Sequence, residues 1–311
     1  MSNKPVIGAS SCLLGNHVRF DGGHKRQRFV TEQLAEHMLI KPVCPEMAIG
    51  LGVPRPAIRL QSVDGKTRLV MSQNNEIDLT DEMNKYTNEA LTQFSNLDGF
   101  IFKKGSPSCG AWRVPVVVHK DGHKRHDGTG VFARAFMQRY PWIPVEEEGR
   151  LNDTTLRQNF IERVYALHRW HEIEKPDKNM KAFIDFHASH KLMLMARSPA
   201  DYQKLGQFVA NTTLETLKER RLEYLLNFMQ AMNKPISKGK HVNVLMHIMG
   251  YLKEHLNSDD KSELLSHFES YRKNQLPWVS LIILLKHHLR KHPSPYINRQ
   301  HYLNPCPEEI V

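Results

Sequence analysis

The chain is poor in cysteine, and none of its 4 cysteines forms a C-x-x-C pair. A secreted disulfide scaffold and a structural zinc ribbon both depend on short, repeated cysteine spacing, so neither fits, and a reducing compartment is expected. Long apolar runs are missing too. The most apolar late segment, Val279 to Leu285, is too short to cross a bilayer. The run Ala9-Ser10-Ser11-Cys12 has the look of a lipoprotein cleavage site, yet only Pro5 to Ala9 precede it as an apolar stretch, far less than a signal peptide requires. No heptad run or fixed-period repeat is present, which excludes coiled coils and solenoids. A soluble, cytoplasmic protein is expected. Acidic side chains also fall short: 33 Asp and Glu face 43 Lys and Arg, a formal charge of +10. Residues 1–150 hold 20 basic and 16 acidic groups, so the excess is shared by both halves. Such an excess favours an anionic partner, nucleic acid being the commonest, or serves solubility alone.

At 311 residues the chain is long enough for two domains, each with its own core. Residues 1–150 alternate strand and helix. Val6 to Ser10 reads as a buried strand, Phe29 to Leu39 has helical spacing, and Lys41 to Cys44 reads as a second strand. Ile58 to Leu60 and Thr67 to Met71 flank Asp64-Gly65, a hairpin signal. A helix is expected over Asp78 to Phe94 with Thr80 at its N-cap, then a strand at Gly99 to Phe102, a helix at Gly130 to Arg139 and a last strand at Ile143 to Val145. That order predicts an α/β, Rossmann-like parallel sheet covered by helices. The character changes at Glu146-Glu147-Glu148-Gly149, and residues 151–311 read as an all-α helical bundle. Its helices are expected at Thr154 to Ile173, Lys178 to Ala196, Pro199 to Ala210, Leu214 to Met232, Lys238 to Leu256, Lys261 to Lys273 and Trp278 to Lys291, with an extended tail after Pro293.

Three cysteines stand where a predicted strand gives way to a Gly/Pro-rich turn. Cys12 lies in Ser10-Ser11-Cys12-Leu13-Leu14-Gly15, followed by Val18-Arg19-Phe20-Asp21-Gly22-Gly23-His24-Lys25. Cys44 lies in Cys44-Pro45-Glu46, with Gly50 to Arg55 beyond it, and Cys109 lies in Ser106-Pro107-Ser108-Cys109-Gly110. Ligands of open α/β sheets bind at the carboxyl ends of the strands, so topology brings these three distant thiols to one rim. Thiolates suit zinc or an iron-sulfur cluster. A four-iron cluster held by three cysteines leaves one iron without a protein ligand, an arrangement for Lewis-acid catalysis. Cys306, in a second Cys-Pro-Glu beyond the helical half, is expected to be structural.

Together these motifs resemble the thiouracil desulfidase family, over roughly residues 5 to 150. Residues 151–311 resemble a helical domain of long-uncharacterised role, through Phe186-His187-Ala188-Ser189-His190-Lys191, His241-Val242-Asn243-Val244-Leu245-Met246-His247 and Gln300-His301-Tyr302-Leu303-Asn304-Pro305. The two-domain form resembles the desulfidases that convert 4-thiouridine in tRNA to uridine. The resemblance implies that Cys12, Cys44 and Cys109 hold a 4Fe-4S cluster, with Glu46 and Ser106 as catalytic side chains and tRNA as the partner of the helical domain. Glu46 would activate water or shuttle a proton, and Ser106 would position that water. Overall C=S plus water gives C=O plus hydrogen sulfide without net electron transfer. A free 2-thiouracil desulfidase is the alternative within this class. From other classes, a non-catalytic RNA-binding iron-sulfur sensor and a cysteine-dependent hydrolase remain open.

Other polar groups admit two readings each. Asp21 and Lys25 touch substrate or form a turn, and Lys103 and Lys104 meet RNA phosphate or are solvated. The pairs His187 with His190 and His241 with His247 suggest metal ligands but lack a third, so core or surface roles are favoured. The cluster from Lys286 to His292 suits a helix C-terminus or a phosphate-binding patch.

Overall fold

The structure, a computed structural model, describes residues 4–118, 123–174 and 179–310. It divides into two compact units, Met1–His168 with Glu309–Val311, and Arg169–Glu308. The first unit thus runs past residue 150, where the sequence changes character, into the helix Thr154–Ile173.

Two four-stranded sheets build the first unit. Strands β1 (Val6–Ser10), β2 (Leu39–Val43), β5 (Gly99–Phe102) and β8 (Val145–Glu147) form an all-parallel sheet in the order β2-β1-β5-β8. Its centre is apolar on both faces: Ile7, Ala9, Phe100, Ile101 and Phe102 are fully buried, as expected of a parallel sheet covered by helices. Phe132 and Phe136 of the helix Val131–Arg139 pack onto Phe100, with ring centroids 6.0 and 5.0 Å away. Beginning the last strand at Ile143 is incorrect by two residues. Glu146 and Glu147 belong to β8 and are buried.

The second sheet has the order β4-β3-β6-β7, from β3 (Ile58–Val63), β4 (Lys66–Met71), β6 (Val114–Val117) and β7 (Lys124–Gly128). The hairpin at Asp64-Gly65 forms as expected, with φ of 50° and 75°, the left-handed pair that a two-residue hairpin turn needs. Neither β6 nor β7 is visible in the sequence. Pro115 interrupts the first and sits at a register shift between Val114 and Val116, where a missing N–H is tolerated. The second, Lys-Arg-His-Asp-Gly, is a charged edge strand. Leu60, Leu69, Met83, Val116 and Val131 share a core under this sheet.

The helix expected from Asp78 starts at Thr80, and Thr80 is not its N-cap. Asp78 accepts the Thr80 N–H at 2.8 Å, while the Thr80 hydroxyl accepts from Leu69 N at 2.8 Å and ties the helix to β4.

The second unit is all helical: Met180–Arg197, Pro199–Ala210, Leu217–Met232, Lys238–Leu252, Ser258–Arg272 and Trp278–Lys291. Lys178, the expected start of the first of these, lies outside the described residues. Ser198 caps the second through Asp201 N with Pro199 behind it, as its sequence indicates. The helix expected at Lys261 begins at Ser258, because Asn257 and Asp260 close a capping box. Trp170, Phe183, Tyr224 and Phe228 fill the core. The tail after Pro293 is not simply extended. It forms a short helix, Pro295–Asn298, and Gln300 then bonds Leu192 N and the Ala188 carbonyl. No helix among the described residues is long and apolar enough to cross a membrane.

Candidate active site

Strands β2, β1 and β5 are neighbours, so their carboxyl ends open onto one place. Cys44 follows β2 directly, Cys12 sits in the 3-10 turn Ser11–Leu14 after β1, and Cys109 lies in the loop after β5. All three line a single cavity of about 290 Å³, together with Glu46, Ser106, Ser108, Arg19, Arg55 and Lys103. That volume sits at the lower end of small-ligand pockets, which run about 300–1,000 Å³. Cys306 is a buried side chain of the second unit and is not among the lining residues.

The loop carrying Cys109 is held by backbone. The helix Val131–Arg139 has no side-chain cap. Its leading N–H groups donate instead to the cysteine loop: Gly130 N to Gly110 O at 2.7 Å, Val131 N to Pro107 O at 3.1 Å and Phe132 N to Ser108 O at 3.0 Å. Such close approach requires Gly130, since a Cβ there would meet the Ser108 carbonyl at 2.5 Å. Glu147 supports the same loop from β8, its Oε1 accepting Ala111 N at 2.9 Å and Trp112 N at 3.2 Å. Burial raises the Glu147 carboxyl, and the Trp112 and Ala111 N–H groups oppose that.

Burial dominates the chemistry of the thiols. It pushes Cys12 up to about 11, with Lys103 the largest opposing influence, and it raises Cys44 against a hydrogen bond from the Met47 backbone. Cys109 is driven far above the ordinary thiol range, with a Ser10 hydrogen bond opposing. These thiols are therefore neutral in the metal-free chain and become ligands only with a group that supplies positive charge. Three thiols lining one cavity, with no histidine among the lining residues, are a soft donor set whose chemistry fits an iron-sulfur group. They are not drawn together as ligands of a single metal ion, and no other such group of three occurs among the described residues.

Glu46 is fixed at both oxygens. The Arg55 guanidinium pairs with Oε2, and it also donates to the Gly52 carbonyl at 2.7 Å and the Val18 carbonyl at 3.0 Å. Oε1 accepts the Ser108 hydroxyl at 2.6 Å and lies 3.5 Å from the Ser106 hydroxyl. The Arg55 side chain is 3% exposed and that of Glu46 15%, so the pair is desolvated while the carboxylate still reaches the cavity. Arg55 and Ser108 carry no assigned role in the sequence reading. Ser108 was visible inside Ser-Pro-Ser-Cys, whereas Arg55, between two prolines nine residues after Glu46, gives no local signal.

The other polar groups have these partners. Asp21 forms a turn, accepting Gly23 N at 3.0 Å and pairing with Arg19 at 3.4 Å, and it is not among the residues lining the cavity. Lys25 is exposed and gives its backbone N–H to the Cys12 carbonyl at 2.9 Å. Lys103 lines the cavity and pairs with Glu148, which also accepts Lys104 N at 2.7 Å. His187 and His190 are core side chains bonded to the Tyr224 hydroxyl at 2.9 Å and the Phe186 carbonyl at 2.7 Å. His241 bonds the Tyr302 hydroxyl at 2.8 Å, while His247 is exposed. In the basic cluster, Lys286 pairs with Glu308 at 2.5 Å and His288 is buried.

The model of the 2-thiouracil desulfurase family matches residues 7–148, and that of a protein family of unknown function, DUF1722, matches residues 191–307. The uncharacterised protein YbgA of Escherichia coli (strain K12) is 30% identical over 162 residues, covering 52% of this chain and 93% of YbgA. Among solved structures, the 4Fe-4S-dependent thiouracil desulfidase TudS is similar at 26% identity and a TM-score of 0.38, over 50% of this chain and 98% of TudS. The chain belongs to the 2-thiouracil desulfurase family through its N-terminal unit and continues into the helical DUF1722 family.

Proposed function

We propose that the protein is a 4Fe-4S-dependent desulfidase that removes sulfur from 4-thiouridine in tRNA, giving uridine and hydrogen sulfide. One observation carries this reading: a carboxylate fixed by Arg55 and Ser108 stands on the wall of the cavity that Cys12, Cys44 and Cys109 line. Family membership supports the reaction class. The basic charge and the helical second unit support a polyanionic RNA over a free base.

Cys12, Cys44 and Cys109 would hold the cluster. Bound there, it would supply a thiophilic Lewis acid at the iron that no protein ligand occupies. The remaining work falls to side chains. Arg55 keeps Glu46 oriented with Oε2 occupied, so Oε1 is the basic atom. Ser106, half-buried on the cavity wall, orients the water that attacks the thiocarbonyl carbon. Glu46 takes the proton of that water and returns one to the departing sulfur, a general acid–base role.

Anaerobic reconstitution with iron and sulfide, followed by sulfide release from 4-thiouridine-containing tRNA and from free 2-thiouracil, tests the reading. Uptake of one cluster per chain with turnover on tRNA is expected, abolished by Glu46→Ala with cluster absorbance retained. Turnover of free 2-thiouracil alone would sink the tRNA assignment, and zinc or no metal would sink the cluster.

A further inference from the structure

We infer that Ser108 relays a proton between Ser106 and Glu46, an inference that rests on the desulfidase reading above. The Ser106 Oγ accepts two backbone N–H groups, from Ser108 at 3.3 Å and Cys109 at 3.1 Å. A hydroxyl has one proton and two lone pairs, so the Ser106 proton must go to an oxygen acceptor. Two are close: Ser108 Oγ at 3.0 Å and Glu46 Oε1 at 3.5 Å. The second distance exceeds the ordinary range for O–H···O bonds, about 2.5–3.0 Å. Ser106 therefore donates to Ser108. The Ser108 hydroxyl in turn donates to Glu46 Oε1 at 2.6 Å, the length of a charge-assisted bond to a carboxylate. With the hydroxyls assigned in this way the chain of donors runs toward Glu46, and Arg55 on Oε2 stops the carboxylate from turning away.

Exposure sets the direction of traffic. Glu46, Ser106 and Ser108 all line the cavity, and of the two hydroxyls Ser106 is half-buried while Ser108 is 1% exposed, so Ser106 is the one that cavity water reaches more readily. A proton from cavity water thus enters at Ser106, displacing the long Ser108 N–H contact. As the water oxygen bonds to the thiocarbonyl carbon, its O–H breaks and the proton passes to Ser106 Oγ. The Ser106 proton moves to Ser108 Oγ, and the Ser108 proton moves to Glu46 Oε1. The same path run backwards delivers that proton to sulfur as the C–S bond breaks. Closure to the carbonyl releases the second water proton, and sulfur leaves as H2S carrying both. Glu46 ends ionised and no electrons are transferred.

The test is Ser108→Ala in the full chain beside wild type, Ser106→Ala and the double variant, all reconstituted anaerobically. Losing a general-base route costs about 100-fold or more in kcat, with KM within about twofold and iron and sulfide content unchanged. The double variant should be no slower than the slower single one, since both residues serve one path. The solvent-deuterium proton inventory, curved for wild type, should become linear in Ser108→Ala. Independently of turnover, the carboxylate infrared band of Glu46, isolated by subtracting the Glu46→Gln spectrum, should shift in metal-free Ser108→Ala and barely move in Ser106→Ala. A wild type that loads the cluster yet releases no sulfide would overturn the desulfidase reading and the relay with it. An active wild type with Ser108→Ala at the same rate, multiplicative losses in the double variant, or iron lost on Ser108→Ala would overturn the relay alone.

Discussion

Replacing Arg55 by methionine keeps most of the side-chain volume and leaves the Glu46 carboxylate without its counter-charge. Both partners are less than a third exposed, at 3% and 15%, so little solvent screening softens the loss. Two unit charges about 4 Å apart interact by about 4 kcal/mol at an effective dielectric near 20. Breaking a buried pair by removing one partner costs about 3–5 kcal/mol. The two figures agree, and the Gly52 and Val18 carbonyls lose a donor as well. With two compact units in one chain, a single melting temperature mixes their transitions. Native-state hydrogen exchange of the buried β1 and β5 amides reads the first unit alone. At about 1.4 kcal/mol per decade, exchange there should accelerate by roughly 100- to 4,000-fold. Adding Glu46→Gln to Arg55→Met removes the stranded charge and should recover more than half of the loss. Exchange within threefold of wild type in Arg55→Met, or a double variant as unstable as the two single losses combined, would refute the desolvated pair as the anchor of Glu46.

Gly130→Ala should destabilise the first unit by about 1–3 kcal/mol or more through overpacking against the Ser108 carbonyl, read by the same amides. In metal-free protein at pH 8, Cys12 should alkylate with iodoacetamide about 100-fold more slowly than an ordinary thiol, because raising it from 9.0 to about 11 cuts the thiolate fraction by that factor. Equal rates by mass spectrometry would refute this. Burial lowers His187 and His241 to about 4, so both are neutral when folded. Their stabilising contribution is complete above pH 6.5 and fades as pH falls toward 4, by about 1.4 kcal/mol per pH unit for each. Urea midpoints of the second unit at pH 7, 6 and 5 should fall accordingly, and His187→Phe should flatten the trend.

Local pattern carried those parts of the fold whose cause is local. β1 and β5 are continuous apolar runs, and Asp64-Gly65 admits few conformations besides a hairpin turn. The three cysteine loops were legible because each follows a strand of one sheet and carries a distinctive motif. What stayed hidden depends on partners far along the chain. β6 contains a proline that only its place at a register shift makes tolerable, and β7 is a strand because β6 pairs with it. Glu146, Glu147 and Glu148 mark where the strand-helix alternation gives way to helical periodicity, and nothing local shows that the first two are buried in a strand. They are tolerated inside because Arg150, the Ala111 and Trp112 amides, and Lys103 meet them one by one.

That matching of charges bears on what the cavity admits. Its three cationic lining side chains are each already paired, Arg55 with Glu46, Lys103 with Glu148 and Arg19 with Asp21. A phosphate entering it would find no uncommitted cation and would face Glu46 besides, at a cost in desolvation that these partners could not offset. An uncharged heteroaromatic base meets no such penalty, since one polar atom can face Glu46 and the serine hydroxyls while its ring lies against Val18, Phe20 and Ile58. The wall thus favours a base that enters alone, with its phosphates left outside. The same wall admits a free base as readily as a base whose phosphates stay outside, so it speaks for an uncharged thiolated base as the reacting group.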